Sequence, residues 1–437
     1  MTRIEGAGLT VAVLRGTVPR MRTGLLPAVA ALAGAGFSAA LLRNGVVLGP
    51  DSWAYWEGSV SLLEKGEYAY FGGPGITVFP PLFSWVLALS QAVLGVSVRS
   101  LALSLAAFVS AASFAWSCLY VVLSGRREGL SFHDLLVALY LPASLAIYSQ
   151  ALLSETLWLV LLPLLLIVLV APEGSLRPAP RSVLAWLILS CMLLCRNATL
   201  TLLPAVLLLF LRLRGELGVR RRFAIASAVV AGSLVPWYWV VRSLGQPDSR
   251  FLGGSRHGVL EYSIEALRGL AYAFGPDRWR VGPALLWGVG ALIVWEAAGR
   301  APSGRGGRPP LLALAGFAAL GLAGLVVLFS ATYVAEPLAG RFVVFAALLL
   351  TLVILAAGER HPRSWRRRAF TVVGVLLTAV ALYRVAVKCR LAGREQPTTA
   401  LNVTISSSYW LGPPRPSGAQ LLVAPPSFPF LKRERAR

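Results

Sequence analysis

Phe79-Pro80-Pro81-Leu82-Phe83-Ser84-Trp85-Val86-Leu87-Ala88-Leu89-Ser90-Gln91-Ala92-Val93-Leu94-Gly95-Val96-Ser97 has the length and apolarity of a membrane span, and whether it crosses decides the fold. It opens on two prolines with no basic residue before it, and Ser84, Ala88, Gln91 and Gly95 form a stripe of small and polar residues at helical spacing. A helix of that kind can lie along the membrane interface without crossing.

Charge outside the stretch supports that choice. Apolar runs fall at 25–43, 80–97, 101–123, 134–150, 154–171, 182–196, 198–212, 223–242, 281–298, 310–331, 342–358 and 369–387, twelve in all. Basic clusters stand at Arg3 to Arg22, Arg126-Arg127, Arg177 and Arg181, Arg212 to Arg222, Arg300 to Arg308, and Arg360 to Arg368. Cytoplasmic loops collect such residues. If every run crossed, the N-terminal cluster would face one side and all later clusters the other. Withdrawing 80–97 places all six clusters on the cytoplasmic side. The expected fold class is therefore an all-α polytopic integral membrane protein of eleven spans, N-terminus inside, with a first external loop at 44–100 that carries interfacial helices. Residues 52–66 read as one of these, with Trp53, Trp56, Val60 and Leu63 on one face and Glu57 and Glu64 on others. Residues 182–212 offer only about 46 Å of helix for two crossings, so those spans are expected to be short, tilted or re-entrant.

Composition agrees. Of 437 residues, 57% are hydrophobic and 14% charged, where soluble domains carry about a quarter charged residues. The formal charge of +22 does not imply nucleic acid, because the arginines lie in short clusters between apolar runs. Membrane lipids are the expected surroundings. Lysine supplies three of the 41 basic residues, a bias that reads as GC-rich, bacterial coding. Cys118, Cys191, Cys195 and Cys389 lack the paired spacing of a zinc site, and His133, His257 and His361 are dispersed. The run 25–42 is long enough to be a retained anchor. One transmembrane domain is expected over 1–387, followed by a Pro- and Ser-rich external tail over 388–437 that is too polar for a core.

With this topology the chemistry-bearing residues gather on the external side. Loop 44–79 carries Asp51, Tyr55, Glu57, Glu64, Glu67, Tyr68 and Tyr70; Ser154-Glu155 and Arg196-Asn197 stand at span ends. Loop 243–280 holds Asp248, His257, Glu261, Glu265 and Asp277, and the turn 332–341 holds Tyr333, Glu336 and Arg341. Carboxylates and arginines converging on one membrane face suit a charged, membrane-anchored substrate such as a phosphate-linked lipid.

Asp51, one of four aspartates in the chain, stands in Gly49-Pro50-Asp51-Ser52-Trp53-Ala54-Tyr55-Trp56 directly after the first apolar run. With Leu62-Leu63-Glu64-Lys65-Gly66-Glu67-Tyr68 and Pro80-Pro81-Leu82-Phe83, it resembles the first external loop of the GT-C superfamily of polyprenyl-phosphate-dependent glycosyltransferases. The nearest likeness is to bacterial lipid A aminoarabinose transferases and protein O-mannosyltransferases. Leu152-Leu153-Ser154-Glu155-Thr156-Leu157 is similar to the superfamily's second acidic motif, Cys195-Arg196-Asn197 to its arginine after the fifth span, and Gly340-Arg341-Phe342 to its late arginine before a terminal span. The resemblance covers roughly residues 25 to 360. It implies transfer of a sugar from a polyprenyl-phosphate donor to a glycan, lipid or protein acceptor on the outer face. Ser52 where protein mannosyltransferases carry a second acid, and Phe79 where their motif has His, argue against a protein acceptor.

Such a reaction needs a base for the acceptor and positive charge on the departing phosphate. Asp51 fits the base, against a purely structural role as a helix N-cap. Glu155 fits acceptor orientation or a divalent metal ion, against a plain helix-end carboxylate. Arg196 and Arg341 fit phosphate binding, against an anchor role for the first and an ion pair to Glu336 for the second. Tyr55 and Glu67 complete the expected substrate contacts. A polysaccharide polymerase or lipid-linked ligase, and a lipid or solute transporter, are alternatives; the transporter class calls for charges near mid-membrane, and here they sit at span ends.

Overall fold

Two prolines and a glycine bracket the deciding stretch. The computed structural model of the chain describes residues 20–43, 46–48, 50–70, 75–76, 79–125, 130–149, 152–170, 178–212, 218–243, 258–275, 281–298, 311–331, 340–360, 365–392 and 404–405. Fourteen α-helices occur among these residues. They are α1 Arg20–Leu42, α2 Pro50–Lys65, α3 Leu82–Leu94, α4 Val98–Ser124, α5 Phe132–Tyr148, α6 Glu155–Val170 and α7 Pro178–Cys195, then α8 Leu203–Arg212, α9 Val219–Ser243, α10 Val259–Phe274, α11 Val281–Ala298, α12 Leu311–Ala331, α13 Gly340–Arg360 and α14 Trp365–Ala392. A 3-10 helix, Asn197–Leu202, precedes α8. A two-residue parallel pairing joins β1 Val47–Leu48 to β2 Thr404–Ile405.

Contacts between helix termini define two ends of the bundle. At the end that carries Asp51, Arg43 beyond α1 donates to the Cys389 carbonyl in α14 at 3.1 Å, and Tyr55 of α2 meets Ser154 before α6 at 2.9 Å. At the arginine-rich end, His133 of α5 lies 3.1 Å from Glu359 of α13, Arg360 donates to the Leu123 carbonyl of α4, and Trp295 of α11 stacks on Trp365 of α14. So α1 finishes and α4 begins at the Asp51 end, and α2 and α3 between them do not cross. Eleven segments run end to end: α1, α4, α5, α6, α7, the 3-10 helix continued by α8, α9, α11, α12, α13 and α14. By length and composition, six of these, α1, α4, α9, α12, α13 and α14, are long and apolar enough to span a bilayer; the others are shorter apolar helices.

The local chemistry of α3 explains why it stays at one end. Pro81 precedes its first residue, and Gly95 closes it at φ +81°, a backbone conformation that side chains with a Cβ disfavour. Two residues on, Ser97 begins α4 with a reciprocal capping pair to Ser100, so the chain turns sharply into the next span. Ser84, Leu87, Ala88 and Gln91 of α3 are buried; Trp85, Leu89 and Val93 form an exposed apolar stripe. The buried stripe grips α2: Ser84 donates to the Tyr55 carbonyl at 3.0 Å and Gln91 to the Ser59 hydroxyl at 2.7 Å.

Three expectations are corrected. The interfacial helix α2 buries more than one face: Ser52, Tyr55, Gly58, Ser59 and Ser61 are buried with Trp56 and Val60, while Leu63 is exposed. Small residues there admit close neighbours, such as the Tyr68 ring against Gly58. The region 243–280, expected as a loop, contains helix α10. It lies along the Asp51 end, with Tyr262 against Phe329 of α12 and the Tyr272 and Ala273 carbonyls taken by Arg384 of α14. The two crossings at 182–212 are short, as expected: α7 starts at Pro178, and the next span opens with six 3-10 residues. At the greater 3-10 rise that second span reaches roughly 27 Å. Helix α14 runs to Ala392, past the expected boundary at 387.

Candidate active site

The site grows from one turn. Thr156 donates its side chain back to the Leu153 carbonyl at 2.7 Å, closing the turn that starts α6 with Glu155 in first position. Two other helices fasten on Ser154. The Tyr55 hydroxyl donates to Ser154 Oγ at 2.9 Å, and the Cys195 thiol donates to the Ser154 carbonyl at 3.3 Å. Those bonds bring α2, which carries Asp51, and the end of α7, which carries Arg196, to the same few ångströms of chain.

Arg196 breaks the helix. Its backbone is extended, with φ −158° and ψ 127°, between the end of α7 and the 3-10 helix. The guanidinium pairs with the Glu155 carboxylate, and its face rests on the Phe342 ring of α13 with Cζ 4.7 Å from the centroid. The two charged side chains are 13% and 9% exposed. They line a narrow pocket whose other walls include Trp158, Leu159, Leu325, Val344 and Phe345. Trp158 is held by its ring N–H to the Thr199 hydroxyl at 2.9 Å, and Thr199 donates to the Met192 carbonyl at 2.8 Å. Trp158 is thereby tied to the 3-10 helix that follows Arg196.

Asp51 is the second residue of α2, because Pro50 takes the first position, where a missing N–H costs nothing. The carboxylate thus lies in the first turn, at the positive end of the helix, and not at the N-cap. It is half-buried, and its charge acts on the Tyr55 hydroxyl together with those of Glu155 and Arg196. Burial first, then the Asp51 and Glu155 charges, push the Tyr55 hydroxyl well above its ordinary value, against smaller opposing effects of Ser154 and Arg196. Tyr55 is a neutral donor there, with its ring packed between Phe79 at 5.1 Å and Phe83 at 5.0 Å.

Four expected site residues thus come together: Asp51, Tyr55, Glu155 and Arg196. Glu67 does not join them; it is exposed beyond the far end of α2, about 20 Å from Asp51 along the helix. Arg341 lies in the first turn of α13 next to Phe342, and its side chain is outside the described residues. Asp248, His257, Asp277, Tyr333 and Glu336 also lie outside them. Trp237 donates its ring N–H to Asn197 Oδ1 at 2.9 Å. Trp158 and Phe342 were not expected as site residues. The only sequence signal for them was position: Trp158 follows Glu155 by three residues on a helix, and Phe342 follows Arg341 directly. Among the described residues no three His, Cys, Asp or Glu side chains gather as a metal centre would require.

No protein-family model and no curated protein matches the sequence. Solved structures do match. ArnT from Cupriavidus metallidurans bound to undecaprenyl phosphate superposes with a TM-score of 0.54 at 16% identity, over 83% of this chain and 76% of that one. The chain shares the fold of that polytopic membrane protein. The oligosaccharyltransferase of Archaeoglobus fulgidus, tethered with an acceptor peptide containing the NVT sequon, also matches, with a TM-score of 0.44 at 15% identity over 83% of this chain and 54% of that one. Within this fold the Glu155–Arg196 pocket lies at the end of the bundle that carries the α2–α3 pair.

Proposed function

We propose that this chain is a membrane glycosyltransferase that moves a sugar from a polyprenyl-phosphate donor to an acceptor on the extracytoplasmic face of the plasma membrane. The observation that carries the reading is one pocket in a GT-C fold, where a guanidinium stands among apolar walls while a carboxylate on a neighbouring helix acts on the same tyrosine hydroxyl. A lipid phosphate matches that chemistry: a planar guanidinium offers it paired charge-assisted hydrogen bonds, and apolar walls suit the prenyl chain. The GT-C structure of ArnT holds undecaprenyl phosphate, which supports the same donor class here.

In this reading Arg196 binds the donor phosphate and stabilises the charge that grows on it as the sugar leaves. Arg341, one residue from the Phe342 wall, contributes a second cation. Asp51 takes the proton from the acceptor as it attacks. Tyr55 holds α2 against the Ser154 turn and so sets the distance between base and phosphate site. Glu155, beside the phosphate site, orients the acceptor. The arginine clusters support a cytoplasmic N-terminus and an outer Asp51 end.

Mass spectrometry of lipids that co-purify with the protein tests the donor. A polyprenyl-phosphate or its glycosylated form is expected with the parent and is lost with Arg196→Gln, while both proteins stay folded. Retention of the same lipid by the variant would return Arg196 to a structural role.

A further inference from the structure

The pairing of Arg196 with Glu155 raises a problem for any anionic ligand. Among the described residues lining the pocket, Glu155 is the sole carboxylate and Arg196 the sole cation, and the other lining side chains are neutral. The pair is largely buried. A buried cation stripped of its counter-charge is strongly unfavourable, and a phosphate brought beside an intact carboxylate is repelled. The ligand therefore has to replace Glu155.

We infer that Glu155 is a stand-in for the donor phosphate: it neutralises Arg196 in the empty site, gives the guanidinium up when a lipid phosphate enters, and is thereby released toward the acceptor. The inference rests on the reading of Arg196 as the phosphate site. The geometry supports exchange at Glu155 and not at Arg196. The guanidinium face is seated on Phe342, and Phe342 is braced edge-on by Phe329 at 5.0 Å, which in turn packs against Tyr262 of α10. Arg196 also directly precedes Asn197, which is anchored by Trp237. Glu155, by contrast, is the first residue of α6, where a side chain can change rotamer without disturbing a hydrogen-bonded helical turn. The consequence is an order of binding: the donor comes first, and its phosphate exposes the carboxylate that the acceptor then meets.

The sign of one substitution decides it. Binding of undecaprenyl phosphate to the detergent-solubilised protein is titrated for the parent, Glu155→Gln, Glu155→Asp and Arg196→Gln, with thermal unfolding as the check on folding. The stand-in role predicts that Glu155→Gln binds the lipid phosphate tighter by roughly tenfold or more, about the worth of one charge-assisted hydrogen bond no longer competed for. Glu155→Asp, with the charge withdrawn by one methylene, gains less in the same direction. Weaker or unchanged binding in both Glu155 variants, with binding lost in Arg196→Gln, overturns the stand-in role and leaves the phosphate site intact. Unchanged binding in Arg196→Gln, or none in the parent, overturns the phosphate reading and the inference with it.

Discussion

At the scale of single residues, the site separates charge from shape. Asp51 occupies the first turn of α2, where its carboxylate is favoured by the helix dipole whether or not it takes a proton. Asp51→Asn keeps the shape and the hydrogen-bonding oxygen. As a general base, Asp51 predicts that this variant loses sugar transfer by a factor on the order of 10² or more while stability falls by no more than about 1 kcal/mol. Full transfer by the variant would remove the base assignment. Tyr55 makes a separate prediction from its raised titration. Above about pH 10 the unfolded chain releases a phenolic proton that the native Tyr55 retains, so this contribution to stability is present below that pH and declines as pH rises through it. Unfolding temperatures measured across that range should fall more steeply for the parent than for Tyr55→Phe, which lacks the titrating group.

At the scale of elements, the site depends on an irregular one. The 3-10 helix after Arg196 is seated on the glycine face of α12: a Cβ on Gly324 would come within 2.6 Å of the Thr201 carbonyl oxygen, and one on Gly321 within 2.7 Å of Leu202. The neighbour at Gly324 is backbone, which cannot swing aside. Gly324→Ala is therefore expected to cost about 1–3 kcal/mol in unfolding and to weaken lipid-phosphate binding by shifting the segment that carries Arg196. Gly316 lies on the same helix with open space where a Cβ would go, and Gly316→Ala should leave both measurements unchanged or slightly improve stability. Equal effects of the two substitutions would separate α12 from the site.

At the scale of the whole molecule, the eleven-span topology predicts opposite labelling of the two ends. Glu67 is exposed beyond α2 and Arg368 is exposed near the start of α14. In intact cells an impermeant thiol reagent should modify Glu67→Cys and spare Arg368→Cys until the membrane is opened. The reverse pattern would invert the molecule and move the Asp51 end to the cytoplasm. Helix α13 runs through the middle of the bundle, with Val343 to Leu349 and Leu352 to Ala357 buried, so the arginine-rich end and the pocket wall share one rigid rod.

The sequence by itself determined the spans and their parity. Apolar runs and arginine clusters are local signals, and the bilayer reads them one segment at a time. The prolines at 80 and 81, Gly95 and the small stripe of α3 were enough to keep that helix from crossing. Asp51, Glu155 and Arg196 stood out for a related reason: a charge beside an apolar run is rare and costly enough to be visible alone. Tertiary structure decided which charges meet. Glu155 and Arg196 are 41 positions apart with no periodicity linking them, and only the Ser154 turn, held by Tyr55 and Cys195, brings them together. Trp158 and Phe342 carried no signal beyond their positions beside Glu155 and Arg341, since an aromatic in an apolar helix looks the same whether it faces lipid, core or a guanidinium. Helix α10 carried a local signal, with Glu261, Glu265 and Arg268 at helical spacing on one face, but only packing decided that Tyr262, Ala266 and Leu270 are buried while Leu260, Ile264 and Leu267 stay exposed. Side-chain pairing across helices is a property of packing, and packing is settled only when all the spans are in place.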